Sequence, residues 1–195
     1  MRTDQLVRRA QRGDPGALAT LVDELLPYAG RICGAVALDA GDDALQETMV
    51  AIIRNIGSLR EPAALRGWVR RIAVREAVRA ARAGAGGVGG AGRGDRRSTP
   101  VDPAELDAAA AAGGPGGGSV APGGAAGATV PDGAAAVEVR AVLAGLAPEQ
   151  RAVLVLRHVE GLHEDEAAVA LGVAPGTVKS RLHRARAAFR TRWTA

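Results

Sequence analysis

The chain has 195 residues and a formal net charge of +4, which allows one ordinary domain or two small ones and excludes a large multidomain machine. Aromatic residues are only 2% of the total, Tyr28, Trp68, Phe189 and Trp193, so any core is aliphatic. β-Branched and aromatic residues never alternate in runs, and the composition therefore favours helix over strand.

Along the first half, apolar residues recur at helical spacing. Leu18, Leu21, Val22 and Leu25 mark one face, then Ile32, Cys33 and Val36; Pro27 between them predicts a break into two helices, because proline suits a first turn and disrupts an interior. Leu45, Met49, Ile52, Ile53 and Ile56 form the next stripe, with Asp42 or Asp43 placed to cap it. A last helix is expected from about Ala63 to Arg82, burying Leu65, Val69, Ile72 and Ala73. Residues 1–83 read as one helical domain.

The segment 84–133 holds 16 of the 27 glycines and half of the ten prolines. Such a composition cannot bury enough apolar surface to offset its ordering entropy, and it reads as a flexible tether. It contains no G-x-x-x-x-G-K-[ST] phosphate loop. Beyond it, residues 134–195 predict helices over Val137–Leu146, Glu149–Glu160, Glu164–Leu171 and Pro175 to about Trp193. The last two are joined by Gly172-Val173-Ala174, a short glycine-bearing turn of the helix-turn-helix kind. In the final helix Val178, Leu182, Ala185, Phe189 and Trp193 make one continuous inner stripe. The expected architecture is all-α, two small helical domains joined by a long Gly/Ala/Pro-rich linker.

Charge placement says more than its sum. Residues 1–83 carry +3, 84–133 carry −2 and 134–195 carry +3, and Lys179 is the sole lysine. The outer face of the last helix offers Lys179, Arg181, His183, Arg184, Arg186, Arg190 and Arg192, with no acidic residue from Lys179 onward. A helix that packs by one stripe and presents arginine on the other suits the DNA major groove, with Thr177 and Ser180 able to bond phosphate or base. Arg71, Arg75, Arg79 and Arg82, at i, i+4, i+8 and i+11, form a second basic ridge able to follow a phosphate backbone. Asp42, Asp43, Gln46 and Glu47 form an acidic patch facing away from Leu45, Met49 and Ile52, as expected for docking onto a basic protein surface.

Other chemistry finds little support. Cys33 is the only cysteine and the three histidines lack zinc-site spacing, so neither a disulfide nor a metal site is expected. No G-x-S-x-G or serine-histidine-acid set stands out, so neither enzymatic activity nor a cofactor is expected. No run approaches the ~18 apolar residues of a membrane span, and the first twenty residues are too charged for a signal peptide; a cytoplasmic protein without membrane insertion is expected.

The stretch GLHEDEAAVALGVAPGTVKSRLHRAR resembles region 4 of the extracytoplasmic-function (ECF) sigma factors of bacterial RNA polymerase, and LAGLAPEQRAVLVLRHVEGL resembles the family's leader to it. His163 and Ala174 depart from the hydroxyl-bearing N-caps usual there, a change of about 1 kcal/mol each. DDALQETMVAIIRNI followed by LRGWVRRIAVREAVRAAR resembles region 2, with Asp43, Gln46, Glu47, Trp68, Ile72 and Ala73 matching, while Met49, Val69, Arg75 and Arg79 depart. The resemblance implies a sigma factor whose C-terminal domain reads the −35 promoter element and whose N-terminal domain binds the −10 element and stabilises melted DNA. It implies docking of the acidic patch on the β′ clamp helices of core polymerase, contact with the β flap, and an anti-sigma partner. It places the −10 base pocket in the loop of residues 55–64 with Arg60 central, beside Trp68, Arg71, Arg75 and Arg79. The 50 residues of the tether can stretch ~165 Å, although a free coil averages about 40 Å. Two other readings fit the same residues, a helix-turn-helix regulator acting without core polymerase and a sigma-like decoy that binds an anti-sigma factor.

Overall fold

The computed structural model of the chain describes residues 3–85 and 133–194; all but the ends of the tether segment lie outside them. The architecture is all-α, with no strand among the described residues. In chain order the helices are α1 (Thr3–Gln11), α2 (Pro15–Ala37), α3 (Gly41–Asn55), α4 (Leu65–Ala85), α5 (Gly133–Ala144), α6 (Pro148–Leu154), α7 (Glu164–Leu171) and α8 (Pro175–Trp193). Short 3-10 turns lie at Leu38–Ala40, Ile56–Ser58 and Pro62–Ala64, and α6 runs on into a π turn at Val155–Val159.

The first helix has no long apolar run to betray it. Only Leu6, Val7 and Ala10 turn inward, and these suffice to bury it against α2. Asp14 then starts α2: its carboxylate accepts from the Ala17 N–H at 3.0 Å and from Arg9 Nε at 2.8 Å, and Pro15 fills the first turn. Those donors, the Ala17 N–H first, hold the Asp14 carboxyl below its usual range.

The break expected at Pro27 does not occur, since α2 is continuous through it. The bond that proline deletes would have run to the carbonyl of Asp23, and both residues are exposed, so that carbonyl is open to solvent and the missing donor costs little. The cap expected from Asp42 or Asp43 is also absent. The helix begins at Gly41, after Ala40, and the two aspartates occupy its first turn, where the helix dipole favours negative charge. Gly41 is needed here for space: a Cβ would come to 3.0 Å from the Cα of Gly34, where α2 and α3 cross.

The bundle of α2, α3 and α4 closes around Leu21, Ile32, Val36, Ile52, Val69, Ile72 and Val74, all essentially inaccessible. Burial of each such side chain contributes about 1.5–3 kcal/mol. Thr48 is the buried polar residue of α3, its hydroxyl donating to the Ala44 carbonyl at 2.7 Å. Ile53, expected in the buried stripe, is instead 43% exposed, and Ala44 and Thr48 take the inward positions.

In the second half, α5, α6 and α7 all pack on α8. Gly172, in the left-handed region at φ 64°, ends α7, and the Val173 N–H returns to the Ala168 carbonyl at 3.1 Å. The two hydroxyl-free caps are real, and at the first the missing bond is half replaced: Glu166 accepts from the His163 N–H at 2.7 Å. The inner stripe of α8 runs through Val178, Leu182 and Ala185 and then lapses, with Trp193 49% exposed and stacked on Phe189 at 5.8 Å. The last turns of α8 thus lie outside the buried core.

The two halves are also packed against each other, α6 on α2 and α4, and α7 on α4, so that their apolar residues form one continuous core.

Candidate nucleic-acid interface

On α8 the residues expected to read DNA share the outward side. Lys179, Ser180, His183, Arg184 and Arg186 are exposed, while Thr177 and Arg181 are partly buried at its edges. Ser180 donates its hydroxyl to the Thr177 carbonyl at 3.0 Å and Arg184 Nε reaches the Ser180 carbonyl at 3.3 Å, local bonds that DNA can replace without breaking the helix. Arg186 lies 3.4 Å from the ring of His158. Burial first, then Arg186 and Arg157, push the His158 imidazole below its usual value, and the patch thus disfavours further positive charge.

The ridge on α4 is less uniform. Arg75 and Arg79 are exposed and Arg71 half-buried; burial, then the neighbouring Arg75, lower the Arg71 guanidinium's proton affinity. Arg79 bridges Glu76 at 2.5 Å and Glu47 at 3.4 Å, so the acidic patch on α3 and the ridge on α4 meet at one exposed ion pair, of a kind worth well under 1 kcal/mol. Asp42, Asp43, Gln46 and Glu47 are all exposed. Ile53, about two turns beyond Gln46 and three beyond Asp42, adds an exposed apolar side chain at the far end of that helix.

Arg60 is exposed in the loop between α3 and α4. The loop is held by a residue that sequence reasoning missed: Gln11 of α1 donates through Nε2 to the Ile56 carbonyl at 3.0 Å and to the Leu59 carbonyl at 2.6 Å. A lone glutamine in a charged helix carries no signal for this, because its acceptors lie 45 and 48 residues away. Trp68 sits in the core, only 5% exposed, its indole N–H without a protein acceptor. It supports the ridge from within.

Residues between the halves were likewise illegible in the sequence. Arg151 is buried and donates through Nε to the Val36 carbonyl at the end of α2, at 2.6 Å, and through Nη1 to the Leu146 carbonyl at 3.0 Å. Tyr28 donates its hydroxyl to Glu160 at 2.7 Å, and Arg70 Nε donates to that carboxylate at 3.0 Å and to the tyrosine oxygen at 3.1 Å. Burial, then the bond to Glu160, push the Tyr28 phenol up to about 12. Among the described residues no cluster of His, Cys, Asp and Glu could hold a metal ion, and no helix is long and apolar enough to cross a membrane.

Comparison with known proteins places the chain in a family. Residues 20–86 match the family model for sigma-70 region 2 and residues 136–189 that for sigma-70 region 4. The ECF RNA polymerase sigma factor SigM of Mycobacterium tuberculosis is 32% identical over 94% of this chain and 73% of its own length. The RNA polymerase sigma-E factor of Streptomyces coelicolor is 59% identical over 49 residues, 25% of this chain; the matched stretch spans about a quarter of that relative's length, 28%. Among solved structures, CnrH in complex with the cytosolic domain of CnrY superposes with a TM-score of 0.55 at 20% identity, over 97% of this chain and 95% of that one, a likeness of fold. The two helical units, in this order, define a sigma-70-type chain. The protein belongs to the sigma-70 family, and within it to the ECF sigma factors.

Proposed function

We propose that this chain binds core RNA polymerase and directs it to promoters, α8 reading the −35 element and the N-terminal unit engaging the −10 element and the melted strand. The observation that carries the reading is the segregation of charge onto three helices, an acidic face on α3 and basic faces on α4 and α8. In the major groove Lys179, Arg181, Arg184 and Arg186 supply phosphate and guanine contacts, with Thr177, Ser180 and His183 beside them. Arg71, Arg75 and Arg79 follow the backbone at the −10 element, and the loop pinned by Gln11 presents Arg60 to unstacked bases, since guanidinium planes can stack bases where aromatic platforms are scarce. Trp68 holds that surface in shape.

Asp42, Asp43, Gln46 and Glu47, with Ile53 at the end of the same helix, dock on the β′ clamp helices; the C-terminal unit contacts the β flap. The nucleotide chemistry belongs to core polymerase, and the chain needs neither cofactor nor metal. The division into units at 1–83 and 134–195, with a connecting segment 84–133, belongs to the same proposal. So does an anti-sigma partner, which is supported by the fold neighbour's having been solved with the cytosolic domain of a second protein.

Run-off transcription with purified core polymerase on a genomic promoter library tests the proposal. Defined start sites that vanish when Asp43 and Glu47 are both changed to lysine are expected. Specific duplex binding by the chain alone, indifferent to that double reversal and without any transcript, would identify a regulator that acts without the polymerase.

A further inference from the structure

The proposed −10 ridge and the recognition helix converge in this structure on a single carboxylate. Glu149, at the start of α6, is paired with Arg82 at the end of the α4 ridge. It also lies close enough to Arg181 of α8 for that guanidinium's charge to act on it. Two promoter elements two helical turns apart are separated by ~70 Å. Surfaces that meet at one side chain cannot occupy both.

The contacts that hold the halves in this arrangement are directional and mostly buried. Glu160, its side chain 9% exposed, accepts from both Tyr28 and Arg70. Arg151 caps the C-terminal end of α2, where Leu38 takes the left-handed φ of 55°, costly for a residue with a side chain, and turns the chain away. A π turn, rare in helices and frequent where geometry is functionally constrained, immediately precedes Glu160. Arg140 pairs with Asp39 at 2.7 Å at the rim. The ridge's Arg71 is half-buried in the same state.

We infer that the free chain is latched shut by its own Tyr28–Arg70–Glu160 cluster and by Arg151, and that the latch must open before both promoter elements can be engaged. This inference rests on the sigma-factor reading for what the closed state withholds, but not for the closure itself. A closed chain exposes its paired DNA surfaces only in the fraction that is open, and apparent affinity falls by that fraction.

Arg70→Glu sets two carboxylates against each other at the latch. The double variant Arg70→Glu with Glu160→Arg restores the pair with the original net charge. In small-angle scattering the unmodified chain and the double variant should share one radius of gyration. Arg70→Glu should raise it about 1.4-fold, as the two halves separate. Binding of a fluorescein-labelled 40-base-pair duplex carrying both elements of a library promoter should tighten at least tenfold in Arg70→Glu, although that change removes a positive charge, and return to the original value in the double variant. An unchanged radius overturns the latch, and an opened chain with unchanged or weaker DNA binding overturns its inhibitory role. Should Arg70→Glu lose helix content by circular dichroism, Tyr28→Phe with Glu160→Gln, which preserves shape, carries the same test. An opened chain that starts no transcript with core polymerase overturns the sigma reading and leaves the latch standing.

Discussion

Arg151→Ala removes a buried guanidinium, 6% exposed, that reaches carbonyls on both sides of the contact between halves. Its two good bonds, at 2.6 and 3.0 Å, are charge-assisted and worth about 1.5–3 kcal/mol each. Against that gain stands the cost of burying a cation, which outweighs the more distant pull of Glu149 and Asp39 and is felt as the lowered proton affinity that burial imposes on Arg151. The difference predicts a net loss of about 2–3 kcal/mol, or about 4–12 °C in melting temperature for a chain of this size. Arg151→Met, which keeps the apolar stem but leaves the same carbonyls unpaired, should recover about 1 kcal/mol at most. Urea denaturation followed by circular dichroism at 222 nm, with Trp68 fluorescence in a Trp193→Phe background as a probe of the first half, reads both numbers. In the unmodified protein the two probes should move together. In Arg151→Ala they should separate, because the α2 end loses its link to the second half. A loss below about 0.5 kcal/mol, with the probes still coincident, would show that the guanidinium's desolvation cancels its bonds and refute the reasoning.

Gly41→Ala places a methyl group 3.0 Å from the Gly34 backbone and should destabilise the first half by about 1–3 kcal/mol, the usual cost of forcing two packed helices apart; an unchanged urea midpoint would contradict the close crossing. Arg184→Ala, and to a similar degree Arg181→Ala, should weaken binding to a −35 duplex by about 1–3 kcal/mol if a base contact is lost, measured by fluorescence anisotropy at fixed salt; equal affinity would remove that residue from the reading face. His158 titrates below its ordinary 6.5 in the folded chain, so the unfolded chain binds more protons just below that pH, and stability should fall as pH drops from 6.5 through the lowered folded value. Thermal melts of the protein and of His158→Gln from pH 7.5 to 5 check this, the variant being expected to lose part of the slope.

Much of the molecule is legible in its local patterns. Apolar spacing marks α3, α4, α7 and α8, Gly172 marks the turn between the last two, and the charge faces on α3 and α8 fall where the sequence puts them, because a helix's sidedness is fixed by residues three and four apart. The errors arise where a distant partner or water decides. Pro27 stays inside α2 because its missing bond faces solvent, α1 exists because three small apolar contacts find α2, and Trp193 stays exposed because the last turns of α8 lie outside the buried core. The meeting of the two halves has no local trace. Arg151 and Val36 are 115 residues apart, and Tyr28 and Glu160 132, and neither partner carries a periodicity that would point to the other. The linear order of residues thus determines which helices form and which faces are charged, whereas only the folded chain decides that the two units close on each other, since that depends on buried hydrogen bonds whose donors and acceptors become neighbours after packing.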